Sequence, residues 1–237
     1  MEQIEEFVDE RHKGLCIYCA ESISNQPING DHVPSKCLLR DPLPEHLPEI
    51  EVHAECNRRF SLDEEYLSVF MTCVLAGSTD PDKIDNPRVA RALRHSPKLQ
   101  ARIEGQKTVH KDSDGTTRLV WTPQHERVHQ VVVKNARGHA FHEYGEPMLL
   151  PPTHVWAVPL AMLTSEQRAK FENVDLGSGW PEVGSRMMTR MLTGQDLEGS
   201  WVVVQDGVYR YAAVQQDTVL VRSILYEYLA TEVCWGG

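Results

Sequence analysis

Long hydrophobic runs are missing from this 237-residue chain. None approaches the roughly 20 apolar residues that span a bilayer as a helix, so no membrane partner is expected. A basic leader is missing too. The N-terminus reads Met1-Glu2-Gln3-Ile4-Glu5-Glu6, acidic where a secretory signal has basic residues and then an apolar stretch, and the expected location is cytoplasmic. Internal repeats and low-complexity tracts are also lacking, which excludes solenoids and collagen-like or disordered arrays. Finally there is no surplus of basic charge: 24 Lys and Arg face 34 Asp and Glu, a net of −10. Proteins that bind nucleic acid by neutralising phosphates usually show the opposite balance. What remains is an ordinary globular composition, 41% hydrophobic and 24% charged, long enough for one large domain or two small ones.

Punctuation along the chain predicts an α+β protein. Residues 1–13 fit a short amphipathic helix with Ile4, Phe7 and Val8 on one side. Residues 20–55 are loop-rich, with prolines at 27, 34, 42, 44 and 48, and hold one or two short strands, Ile50-Glu51-Val52 among them. A helix is expected from about Cys56, or from the Ser61/Glu64 capping box, to Leu75, closed by Gly77. Asn86-Pro87 and Ser96-Pro97 each pair a capping side chain with a first-turn proline, so two short helices follow. Asp112-Ser113-Asp114-Gly115 marks a hairpin. Thr122-Pro123 opens a helix reaching about Glu143, ended by Gly145. Apolar strands are read at His154–Pro159, Trp201–Val204, Val208–Val214 and Thr218–Leu225, with a helix capped at Thr164. The five tryptophans (121, 156, 180, 201 and 235) are expected in the core.

Six cysteines are present, and their arrangement favours metal over disulfide use in a reducing compartment. Cys16-Ile17-Tyr18-Cys19 and His53-Ala54-Glu55-Cys56 offer two pairs of ligands at the same short spacing. Each two-residue gap lets both side chains of a knuckle converge on one ion, and two knuckles supply the four tetrahedral ligands of a structural Zn2+ site. Cys37 is the alternative fourth ligand should His53 be a surface histidine. Cys73 and Cys234 sit among apolar neighbours and read as buried, inert thiols.

Between the knuckles lies Gly30-Asp31-His32-Val33-Pro34, and Asn57 directly follows the second. Asp31 suits a hard divalent ion, and His32 titrates near neutrality and can take a proton from water. On a regular strand the two would diverge, so a kink at Gly30 or Pro34 would be needed to aim both at one phosphate. The pattern Cys16-x-x-Cys19, Asp31-His32-Val33-x, Cys56-Asn57 and Phe60-Ser61-Leu62-Asp63-Glu64-Glu65-Tyr66 resembles the HNH (ββα-metal) endonuclease superfamily, in the variety whose catalytic hairpin is stapled by zinc. The resemblance covers about residues 14–70. It implies that Asp31 binds a catalytic Mg2+ or Mn2+, that His32 is the general base, and that Asn57 orients the site or touches the metal. The family's final histidine, about eight residues past the asparagine, is absent. Glu65 stands there, beside Asp63 and Glu64, and is the preferred further ligand of the three. Residues 131–147 more loosely resemble a helix-and-turn segment of uncharacterised bacterial HNH proteins, some from phage-defence contexts.

The expected organisation is an HNH-type module with structural zinc at 1–78, a basic helical connector at 79–106 and a mixed α/β domain for specificity or partner binding at 107–237. Residues 1–72 carry 6 Lys and Arg against 15 Asp and Glu, so basic surface elsewhere, a protein partner or a homo-oligomer must offset the charge. Residues 83–107 carry 7 against 2, and Arg88, Arg91, Arg94, Lys98 and Arg102 are the expected nucleic-acid contacts. The expected function is metal-dependent cleavage of nucleic acid, DNA before RNA. The alternative is a non-catalytic zinc-stapled module that binds nucleic acid or protein. A third reading, a zinc protease, rests on His125-Glu126-Arg127-Val128-His129 alone.

Overall fold

The computed structural model describes residues 1–4, 12–111, 117–174 and 181–236. The helix anticipated at 1–13, the hairpin tip at 112–115 and Trp180 fall wholly or partly outside these residues. In chain order the elements are β1 (Ile28–His32), β2 (Glu49–His53), α1 (Ala54–Arg58), α2 (Ser61–Ala76), α3 (Pro87–His95), α4 (Pro97–Glu104), β3 (Lys107–Lys111), β4 (Thr117–Trp121), α5 (His125–Tyr144), β5 (His154–Pro159), α6 (Ser165–Glu172), α7 (Arg186–Thr193), β6 (Leu197–Glu198), β7 (Trp201–Gln205), β8 (Tyr209–Gln215), β9 (Val219–Leu225) and β10 (Leu229–Trp235). The fold mixes helices and antiparallel strands, and it divides into two compact units, Met1–Phe60 with Val132–Gly237, and Ser61–Val131.

In the first unit, β1 and β2 form an antiparallel hairpin in which Asp31 pairs with Ile50 and His32 with Glu49. A six-stranded antiparallel sheet in the order β5-β10-β9-β8-β7-β6 makes the larger part. Strand β8 shows why its sequence is apolar almost throughout: both of its faces are covered. Ala212 and Val214 join Leu160, Phe171, Trp201, Ile224 and Ala230 in one core, with Trp156 packed against it. Tyr209, Tyr211 and Ala213, on the alternate positions, meet α5. There Tyr144 donates to the Ala213 carbonyl at 2.7 Å, and the Tyr209 hydroxyl lies 3.0 Å from His139 Nε2. Tyr211 donates to Glu143, whose carboxylate is also held by the buried Arg190 guanidinium at 3.1 Å. Every ionised group in this interior thus has a partner, the condition for tolerating buried charge.

In the second unit the expected caps form. Asn86 accepts from the amides of Arg88 and Val89, and Ser96 accepts from that of Leu99, satisfying donors that the first helical turn leaves open. The helical stretch after Cys56 is interrupted: α1 ends at Arg58 and α2 begins at Ser61. Tyr66, Phe70 and Cys73 of α2 are buried together with Val89 and Leu93 of α3. The Tyr66 hydroxyl donates to Gln106 and accepts from the Gln124 amide, both at 2.8 Å. Burial pushes the Cys73 thiol up to about 12, as suits an inert core thiol.

Candidate metal centre

Cys16 and Cys19 bracket a tight knuckle, closed by Ala20 N–H donating to the Cys16 carbonyl and by Cys16 N–H donating to that of Glu21, both at 2.9 Å. His53 ends β2, and Cys56 lies one turn into α1. The hairpin register sets Ile28 opposite His53 and so brings the second knuckle to the first. The donor atoms of Cys16, Cys19, His53 and Cys56 all lie within 4.8 Å of one another, and Cys16 and His53 are 0% and 1% exposed. His53 Nδ1 faces Cys19 Sγ at 3.2 Å, while its Nε2 lies 3.1 Å from the Ser22 carbonyl. A proton donated from Nε2 to that carbonyl leaves the Nδ1 lone pair directed into the cluster, the outer contact that orients a metal-bound histidine.

Three sulfurs and one imidazole at this separation fit Zn2+, which binds sulfur at about 2.3 Å and nitrogen at about 2.0 Å. The electrostatics fit as well. Burial raises the Cys16 thiol, but the approach of the His53, Tyr18 and Cys19 amides outweighs it and leaves the thiol below its ordinary value. Burial, with the crowding of Cys19 and Cys16, pushes Cys56 up to about 12. A thiol raised in this way is stabilised as a thiolate by a shared cation. Cys37 is not part of the group.

The β1–β2 hairpin beside this cluster has two unlike faces. On the inner one, Val33, Ile50 and Val52 pack with Cys16, Ile17 and Cys56, and Phe141 of α5 closes over them. Asp31 belongs to this face and is 5% exposed. Tyr18 donates to its Oδ2, and the Lys134 ammonium donates to its Oδ1 at 2.7 Å. Lys134 also donates to Ser35 Oγ at 3.0 Å. Asn135 Oδ1 accepts from both the Ser35 amide (2.8 Å) and the Ser35 hydroxyl (3.2 Å). On the outer face stands His32, whose Nε2 is 3.4 Å from a Glu49 carboxylate oxygen. Burial and Lys36 lower its pKa against the opposing pull of Glu49 and Asp31, which favours the neutral imidazole. Gly30 makes room for this pair, because a Cβ there would coincide with the Glu49 carboxylate. β1 keeps a regular register through Asp31 and His32, and the two side chains diverge.

Asn57 Nδ2 donates to Asn29 Oδ1 at 3.3 Å, tying the last turn of α1 to β1. Glu65 is exposed on α2 of the second unit, and Asp63 there pairs with Arg127 at 3.1 Å. Arg88, Arg91, Arg94, Lys98 and Arg102 are exposed on α3 and α4, with Arg94 bound to Asp82 at 2.7 Å. His125 and His129 have ring centroids 6.3 Å apart. Among the described residues they belong to no group of three or more metal-ligating side chains, whereas the Cys16 cluster does.

No family model, curated protein or solved structure matches this chain. Any reading of function therefore rests on its own residues and their geometry. Two of those residues carry no motif. Glu49 looked like one acid among many in a loop-rich stretch. Lys134 interrupts the apolar run Val131-Val132-Val133, and a lone lysine in such a run is the one trace a buried ion pair leaves in sequence.

Proposed function

We propose that the first unit carries a zinc-stapled HNH-type nuclease site that hydrolyses nucleic-acid phosphodiesters, DNA in preference to RNA. One observation carries the reading. A hairpin followed by a helix, stapled at its base by three cysteines and a histidine, presents a partly exposed, neutral histidine with a carboxylate beside it. The order β1, β2, α1 supports the reading, because the resemblance implies a ββα arrangement. Glu49 favours the tautomer with the proton on Nε2, which leaves Nδ1 to act as base. His32 takes a proton from water as the water oxygen bonds to phosphorus. The phosphorus–oxygen bond to the leaving strand then breaks, the departing oxygen takes a proton from solvent water, and His32 gives up its proton to solvent. The exposed arginines and lysine of α3 and α4 are the basic surface that would hold a phosphate backbone. A partner protein or a second copy is the other source of compensating charge.

Zinc fits the cluster and supplies stability there, not chemistry. The Mg2+ or Mn2+ that the resemblance implies does not fit Asp31 in this arrangement. Both oxygens already accept hydrogen bonds, one of them from a buried ammonium. The same pair favours a second reading, a module of this kind that holds nucleic acid or protein without cutting it.

Plasmid DNA and single-stranded RNA incubated with wild type and His32→Ala separate the two. Cleavage by wild type that is lost in His32→Ala, with zinc content unchanged, supports the nuclease. Binding without cleavage of any substrate supports the second reading.

A further inference from the structure

We infer that Lys134 is the resident cation of the Asp31 site, standing where a nuclease of this kind would otherwise place a divalent metal ion. The inference builds on the reading of the hairpin as a nuclease site, but its test reads binding, so the two can fail separately.

The position is built, not incidental. Lys134 and Asp31 have side chains 2% and 6% exposed, and their charges approach to 2.7 Å. The remaining groups around the ammonium are chosen for a cation. Ser35 Oγ accepts from it, with the serine held by Asn135, and the Phe60 ring lies with its centroid 5.9 Å from Nζ. Phe60 in turn packs on Tyr18, centroids 4.9 Å apart, and Tyr18 donates to the second carboxylate oxygen. An aromatic face and a hydroxyl lone pair complement an ammonium. A divalent ion would need the same carboxylate oxygens, which already accept from the Lys134 ammonium and the Tyr18 hydroxyl, so it would have to displace the ammonium to bind. Gly138 completes the device. Any Cβ there would lie 2.6 Å from Val33 Cγ2, so the glycine is what lets α5 come close enough for Lys134, one turn earlier, to reach Asp31. The cation is thus delivered by the fold, at a fixed distance, without regard to the ionic composition of the medium.

The test uses the zinc-loaded full chain titrated with Mn2+, the free ion being read from its electron paramagnetic resonance signal. Wild type is expected to bind no Mn2+ at this site, so that wild type and Asp31→Asn give the same titration. Lys134→Ala frees the carboxylate and is expected to bind one Mn2+ at least tenfold more tightly than wild type, and Lys134→Ala with Asp31→Asn is expected to lose that gain. A wild type that binds one Mn2+, lost in Asp31→Asn, overturns the inference. So does a folded Lys134→Ala that gains no binding. Should Lys134→Ala not fold, the comparison of wild type with Asp31→Asn still decides.

Discussion

His32 and Glu49 illustrate how a pair of side chains can set the working range of a site. Burial and the Lys36 charge lower the histidine, and Glu49 opposes them. Removing the opposing charge in Glu49→Gln should lower His32 further and weaken it as a base. The expected result is a severalfold smaller kcat for DNA cleavage, with the acidic limb of the pH–rate profile moved to lower pH. An unmoved limb would mean that Glu49 does not act through His32. The two knuckles were legible from ligand types and spacing alone, because zinc imposes both. The partners of Asp31 were not. Tyr18 lies inside the first knuckle and Lys134 more than a hundred residues away in sequence, and no local pattern links a strand aspartate to a lysine on a later helix. The divergence of Asp31 and His32 on a regular strand followed from the two-residue period of β-structure.

At the scale of elements, the close packing of α5 on the segment after β1 depends on Gly138. A Cβ at this position would lie 2.6 and 2.9 Å from the two Val33 methyls and 3.3 Å from its Cβ, so rotation of Val33 does not relieve it. Gly138→Ala should destabilise the first unit by about 1–3 kcal/mol, as overpacking does, visible as a lower midpoint in thermal melts. Adding Val33→Ala should restore part of the loss, and a melt of the double variant no better than the single one would refute the contact. Most elements carried clear marks in sequence: the caps at Asn86, Ser96 and Thr164, and the apolar runs at β5 and β7 to β9. β10 did not. The turn before it places Tyr226 and Glu227 at φ of 55° and 47°, a conformation usually signalled by Gly or Asn, and neither is present. Of the two helix starts read after Cys56, the one at Ser61 is where α2 begins; the short α1 ahead of it carried no separate mark.

For the molecule as a whole, the interior between α5 and the large sheet sets the response to acid. His139 is 0% exposed and stacks on Tyr211 with centroids 3.7 Å apart. Burial, with the Arg190 charge, lowers its pKa to about 3. The unfolded chain protonates this histidine near 6.5 and the folded chain does not until about 3. Stability is therefore full above about pH 6.5 and falls as the pH drops below it, by about 1.4 kcal/mol per pH unit for this one group. Urea midpoints between pH 7 and 5 should show a shallower decline in His139→Phe than in wild type, and equal slopes would remove His139 as a cause. Composition gave no hint of the discontinuous first unit, since nothing in a linear sequence marks residues 1–60 and 132–237 as one body. What joins the proposed chemistry to this fold is the Cys16, Cys19, His53 and Cys56 cluster, which could hold a zinc ion. X-ray absorption at the zinc edge tests it most directly. The expected result is one zinc per chain, with three sulfurs at about 2.3 Å and one nitrogen at about 2.0 Å. A chain that folds without zinc, or one whose zinc is bound mainly by oxygen, would contradict it.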